Sequence, residues 1–302
     1  MAFPTDTFTG TDLASFIPSI WGDRINDFFK RKLVLGNFFT DRSEELADGG
    51  KTLYTPGLTE MTANSKTNGA AVTLNSPTES SVTLTVDTWF EVSFAIEDKE
   101  AAQVKKSYNL QEAYAKNAAY TIAKKLDTAI AALFSGFSST VGSSTTNVAD
   151  SDIRSAIATL EAANVDLDEC AFFFHPTVFW RQLQAIDRYA LAVNTPVQDP
   201  VAKRPMASLY GIPVYVTTAV PYVEGTNGHI NLLAHKDAIH FATLSLEKQS
   251  PNTKIGEYNV RIQSNYIPQY LATVTTADIV YGVVKNRDNA AVQILSTATY
   301  AE

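Results

Sequence analysis

Four histidines, His175, His229, His235 and His240, and a single cysteine, Cys170, are the residues best suited to bind a metal or move a proton. Their spacing argues against both roles. No His-Glu-x-x-His pattern and no cysteine–histidine cluster occurs, so a zinc centre has no ligand set. An odd separation puts His235 and His240 on opposite faces of a strand, and His175, just before Pro176, reads as a strand end. All four histidines are expected to be structural. A Gly-x-Ser-x-Gly elbow is missing, and Gly136 and Gly142 lie in a Ser/Thr-rich stretch without the Lys-Ser/Thr pair of a phosphate loop. Asp166, Asp168 and Glu169 could hold a surface cation but read as a solvated turn. Lys30-Arg31-Lys32 could touch nucleic acid or an acidic neighbour, and reads equally well as a solvated helix end. Trp89 differs from these, because it stands on the polar face of an otherwise alternating segment, where a tryptophan suits a subunit contact. The expectation is a chain without catalytic, cofactor or metal sites, whose important residues make contacts.

The elements that would present those residues follow from periodicity. Residues 1–50 read as an N-terminal arm with one helix, opened by Ile17-Pro18-Ser19, carrying Ile20, Trp21, Ile25, Phe28 and Phe29 at helical spacing, and stopped near Gly36. That helix has no core of its own, so Trp21, Phe28 and Phe29 are candidate contact residues. Residues 51–96 read as an extended β-hairpin loop. Val82, Leu84, Val86, Thr88, Phe90, Val92, Phe94 and Ile96 alternate with mostly polar residues, the pattern of a half-buried strand. One strand from Val82 to Ile96 would span roughly 50 Å, far beyond the ordinary strand of about 5–6 residues. It is predicted to pair with the segment around Ala70–Leu74 in a projecting arm that needs a partner surface, with Val82, Leu84, Val86, Trp89 and Phe90 as contact candidates.

Residues 97–150 hold a long helix and a linker. Asn109 followed by Glu112 resembles a capping box, and Ala115, Ala119, Ile122, Leu126, Ile130 and Leu133 give helical steps through Phe134. Such a helix would be about 37 Å long. Ser135 to Asp150 reads as a flexible connection and a domain boundary. Residues 151–275 alternate short helices and strands: a helix over Ile153–Leu160 ending near Asn164, and strands at Cys170–Phe174, Gly211–Val216, Ile230–Leu233 and Ala238–Thr243. Residues 276–302 read as two closing strands, Ile279–Val284 and Ala291–Leu295, joined by a polar turn. The class is α+β.

Composition bounds the partners. The 302 residues carry 24 basic and 32 acidic side chains, a net charge of −8, and 45% are hydrophobic, enough to build a core. An acidic chain does not wrap nucleic acid, because counterion release needs clustered Lys and Arg. One cysteine closes no intrachain disulfide. No run approaches the ~18 consecutive apolar residues of a membrane span, and no membrane partner is expected. The Met1-Ala-Phe-Pro-Thr-Asp start lacks the basic and apolar regions of a signal peptide.

In the order of its motifs the sequence resembles tailed-phage major capsid proteins of the Hong Kong 97 type. The resemblance rests on Ile17-Pro18-Ser-Ile20-Trp21, Gly50-Lys-Thr-Leu-Tyr-Thr-Pro56, Ile96-Glu97-Asp98 through Gln103 and Ala123-Lys-Lys-Leu-Asp127. It continues through Leu160-Glu-Ala-Ala-Asn164, Phe172-Phe-Phe-His175-Pro176, Leu209-Tyr-Gly211-Ile-Pro-Val-Tyr-Val and Tyr281-Gly-Val-Val284. It implies an N-terminal arm (1–50), an extended loop lying over a neighbour (51–96), a peripheral domain with a spine helix and linker (97–150), a mixed α/β axial domain (151–275) and closing strands of the peripheral domain (276–302). It further implies pentamers and hexamers of an icosahedral virion shell, assembled in the host cytoplasm around weakly contacted double-stranded DNA. Scaffolding, portal and decoration proteins are the implied partners. Some members cross-link a loop lysine to a peripheral asparagine. Lys51, Lys66, Asn286 and Asn289 are the corresponding residues here, and nothing around them marks an isopeptide site. No processed propeptide is expected, and therefore a separate scaffold. The alternatives are an encapsulin-type compartment or a soluble enzyme with a β-arm lid.

Overall fold

A computed structural model describes residues 30–46, 49–76, 79–99, 110–186, 208–223, 228–244, 246, 253–255 and 258–298. The arm residues Trp21, Phe28 and Phe29, and the Asn109 cap, lie outside them. The strands are β1 (Thr40–Asp41), β2 (Thr52–Leu58), β3 (Glu79–Thr85), β4 (Thr88–Glu97), β5 (Thr140–Gly142), β6 (Cys170–Phe174) and β7 (Ser208–Leu209). They continue as β8 (Ile212–Val216), β9 (Gly228–His235), β10 (Ile239–Leu244), β11 (Thr253–Ile255), β12 (Tyr258–Ile267), β13 (Ala272–Lys285) and β14 (Ala291–Thr297). The helices used below are α1 (Leu110–Ala132) and α2 (Asp150–Ala162).

The described residues form two mixed sheets and a two-stranded ribbon. The first sheet runs β1-β10-β13-β12-β11, with β4 also on β13; the second runs β5-β14-β9-β6-β8-β7; β2 and β3 pair only with each other. One core lies between α1 and both sheets, joining Ala119, Ile122, Leu126 and Ile130 of α1 to Phe173, Leu232, Phe241 and Ala277. A second core lies between α2 and the second sheet, around Ile153, Leu160, Phe172, Phe174 and Phe179. The run Phe172-Phe173-Phe174 is fully buried because successive side chains enter different cores.

Several expectations change. The alternating segment is two strands, broken at Val86-Asp87, and neither pairs with 70–74. β3 pairs with β2, Leu84 opposite Leu53, whereas β4 pairs with β13 of the same chain, Phe94 opposite Thr275. The even-numbered face of β4 is covered by the chain's own α1, where Val92 and Phe94 join the main core. The shelter assigned to a sister chain is thus supplied, for residues 88–97, from within. The stretch left uncovered is the loop of the β2–β3 ribbon, whose base is seated by Leu53 and Leu84 on Leu46 and Ala242.

The segment 135–150 is not a loose linker. Phe137 and Val148 are buried, β5 adds a parallel strand to β14, and Val148 N–H donates to the Gln182 side chain at 3.0 Å. The tail strands do not form one hairpin: β13 belongs to the first sheet and β14 to the second, and position 275/276 falls inside β13. The chain crosses between sheets at Lys236–Ala238 and Asp288–Ala290, and the Asn286 side chain ties these crossings by donating to Asp237 O at 3.0 Å.

The basic run is not a helix end here. Residues 30–34 have no regular structure, and Arg31 turns inward onto Asp127 of α1, at 2.9 Å. The Asp127 side chain is fully buried and also accepts Leu35 N–H at 3.1 Å, so one carboxylate fastens the incoming chain to α1. Removing it would take the acceptor from Leu35 N–H and leave the Arg31 charge with neutral acceptors, Lys124 O and Thr128 Oγ1. Asp127→Ala is expected to lower stability by about 3 kcal/mol, read by urea denaturation.

Candidate functional site

Chemistry-bearing side chains are dispersed or committed. Among the described residues no cluster of three or more His, Cys, Asp or Glu could hold a metal, and no helix is long and apolar enough to cross a membrane. Cys170 is buried, and burial pushes its thiol up to about 12, so it is an inert core residue. Of the acidic cluster, Asp166 caps its own turn by accepting Asp168 N–H at 3.0 Å, and Glu169 pairs with Lys236 and His235. Asn286 spends its amide on Asp237 O and His240, which leaves Asn289 as the exposed asparagine of that turn. Lys51 sits exposed at the ribbon's base and Lys66 in its loop, donating to Ala70 O.

Contact surfaces are better developed. Every described residue from Leu58 to Ser76 is exposed, and the stretch carries Leu58, Met61, Val72 and Leu74, with Leu58 and Leu74 at 83% and 87% exposure. Tyr54 adds an exposed ring on β2. Large apolar side chains exposed along the loop of a two-stranded ribbon make it a candidate contact surface.

The second surface is the face of the first sheet turned away from α1. Register places Trp89, Glu91, Ser93 and Ala95 of β4 beside Val280, Asp278, Thr276 and Val274 of β13, with Arg261 of β12 opposite Asp278. Trp89 is 64% exposed, yet its Nε1–H donates to Asp278 Oδ2 at 3.1 Å. The nearly buried Asp278 is held in turn by Arg261, whose Nε donates to Oδ1 at 2.8 Å and whose Nη2 donates to Oδ2. This forked contact raises the already high Arg261 pKa. The indole is therefore fixed in orientation while its ring faces water, the state of an anchor with its ordering cost already met. At the far end of this sheet, Tyr266, Tyr270 and Leu271 are also exposed, and Tyr266 donates to Asp98 at 2.8 Å.

The other candidates divide. Leu84 and Val86 are buried against Leu46 and Ala242 in their own chain, which removes them from the contact list. Phe90 stacks its ring 6.0 Å from that of Tyr281, with Lys125 over it, and stays 38% exposed. Val82 is half-buried on the ribbon. Sequence reasoning found Trp89 but missed Asp278 and Arg261, whose cross-strand pairing is visible only once β12 and β13 are in register.

No family model matches the chain, and no curated protein does. Solved structures do. "Capsid structure of the Cyanophage P-SCSP1u" superposes with a TM-score of 0.74 at 15% identity, covering 98% of this chain and 97% of that one. A structure from Mycobacterium phage Che8 gives 0.69 at 19% identity, covering 92% and 97%. "Capsid of native GTA particle computed with C5 symmetry" gives 0.67 at 10%, covering 98% and 100%. The chain therefore has the mixed helix-and-sheet fold of these cyanophage and GTA-particle capsid structures.

Proposed function

We propose that the chain is a major capsid protein of the Hong Kong 97 type, a structural subunit without catalytic activity. It builds pentamers and hexamers of an icosahedral shell around the double-stranded DNA of a tailed phage. The observation that carries this reading is the β2–β3 ribbon: a projection that holds Leu58, Met61, Val72 and Leu74 exposed, on a fold that solved capsid chains share along nearly their whole length. In this reading the first sheet with α1 is the peripheral domain, the second sheet with α2 is the axial domain, and the ribbon lies over a neighbouring copy. Trp89 supplies a further contact from the outer sheet face. The net charge of −8 suits an inner wall that repels packaged DNA rather than gripping it. Scaffolding and portal proteins are the partners such a shell requires.

The test is negative-stain microscopy with size-exclusion chromatography of the purified chain. Closed particles or five- and six-membered rings are the expected result. A stable monomer at every concentration, with or without a coexpressed scaffold, overturns the reading. Shells that carry a protein cargo in place of nucleic acid would redirect it to an encapsulin-type compartment.

A further inference from the structure

Where β6 ends and β9 begins, two imidazoles lie face to face. The His175 and His229 rings are 3.8 Å apart and 16° from parallel, and Tyr222 tilts over His229 with its ring centre 4.5 Å away. His229 is 1% exposed. Thr177 links the two rings, its Oγ1 being 2.7 Å from His175 Nδ1 and 3.2 Å from His229 Nε2. This cluster touches neither the ribbon nor Trp89, and it behaves the same way whatever the subunit builds.

One assignment of its hydrogen bonds keeps both rings neutral. His175 Nδ1 accepts the Thr177 backbone N–H at 3.3 Å, so that nitrogen carries a lone pair. The single hydroxyl hydrogen of Thr177 then points to His175, and its oxygen accepts from His229 Nε2–H. That assignment leaves His229 Nδ1 as a buried lone pair without a partner. A proton has no good place to go. On His175 it would oppose the Thr177 N–H; on His229 it would create a buried donor with no acceptor. Among the described residues no opposite charge faces either ring. The second-sheet strand β14 presents Ser296 opposite His229, β9 presents Asn231, the turn presents Thr177, and the 221–223 segment presents Tyr222. Burial depresses His175, and burial with the neighbouring His175 depresses His229 to about 4; among the described residues no carboxylate acts on either ring.

We infer that the His175–His229 stack is an acid-released latch on the second sheet, holding the Thr177 turn and the Pro221–Val223 segment in place while both rings are neutral. The held segment is short; Val223 packs partly on the main core, and two backbone hydrogen bonds secure it, Ile230 N–H to Pro221 O and Val223 N–H to Gly228 O, each 2.9 Å. The sign follows from linkage. An unfolded or opened His229 takes up a proton near 6.5, the closed one only near 4, so the latch is at full strength above about pH 6.5 and weakens as pH falls between the two.

Hydrogen exchange of the full chain, read by mass spectrometry from pH 7 to pH 4 and corrected for intrinsic rates, tests this. Peptides covering 175–182 and 217–223 should open on the order of 100-fold more readily at pH 4 than at pH 7, beyond any change in α1 peptides. His229→Phe keeps a stacked ring but cannot titrate, and most of that rise should vanish. An equal rise in His229→Phe, or none in the wild-type chain, overturns the latch. Should that variant misfold, imidazole C2–H exchange on the unaltered chain decides: a His229 midpoint near 4 supports it, and one near 6.5 overturns it.

Discussion

Gly282→Ala should lower stability by roughly 3 kcal/mol, the upper end of what overpacking costs, and Gly282→Val should leave no folded subunit. The reason is a crossing. Between β3 and β4 the chain passes over β13, and a Cβ at Gly282 would stand 2.1 Å from Thr85 O and 3.1 Å from Val86 Cα. Both obstacles are backbone atoms, which no rotamer change can move aside. Val86 is pinned there as well, its N–H donating to Lys51 O at 2.8 Å, so the two feet of the ribbon are tied together at the same spot. Relief would require lifting the ribbon's base off the sheet and opening the small core of Leu46, Leu84, Val86 and Ala242. Gly136→Ala is the control: a Cβ there meets nothing within 4 Å, and the change should stay within about 0.5 kcal/mol. Thermal melts would show a drop of roughly 5–10 °C for the first variant and almost none for the control. Equal melting of the two would mean that the ribbon is not seated across β13.

Much of this arrangement is legible in the sequence, and the rest fails for a definable reason. Local periodicity located α1, whose Ala119, Ile122, Leu126 and Ile130 face the core as their spacing requires. It also located β6 to the residue, because an unbroken apolar run ending at His175-Pro176 fits only a strand covered on both sides. The alternation from Val82 to Ile96 correctly gave which side chains face inward. It did not give the break at Val86-Asp87, since the period is kept across the break, nor the partner strands, since pairing depends on residues nearly two hundred positions away. The same limit hid the membership of β13 and β14 in different sheets. A polar turn such as Lys285-Asn-Arg-Asp-Asn looks alike whether it reverses a hairpin or carries the chain from one sheet to another. Of the candidate surface, Trp89 was visible as a misplaced aromatic, whereas Asp278 and Arg261 look like ordinary strand-face charges until register brings them together.

That triad supports the second large effect. Trp89→Ala should reduce the yield of assembled particles at least tenfold while the subunit's own unfolding free energy changes by less than about 1 kcal/mol. The two halves of the expectation have different causes. Within the chain the indole ring is 64% exposed and contributes one hydrogen bond, to an aspartate that Arg261 continues to hold from two nitrogens, so the subunit loses little. Between chains a desolvated tryptophan is commonly worth 2 kcal/mol or more, and in a closed shell the same loss recurs at every equivalent contact, so a modest deficit per subunit becomes a large one per particle. Trp89→Phe separates ring from tether: it retains apolar area but releases the link to Asp278, and should assemble with intermediate yield. Particle yield is read by sedimentation and microscopy, and subunit stability by urea denaturation of unassembled chain. Normal assembly of Trp89→Ala would show that this face of the sheet stays open to solvent in the particle. A collapse of subunit stability would show instead that the tryptophan serves its own fold.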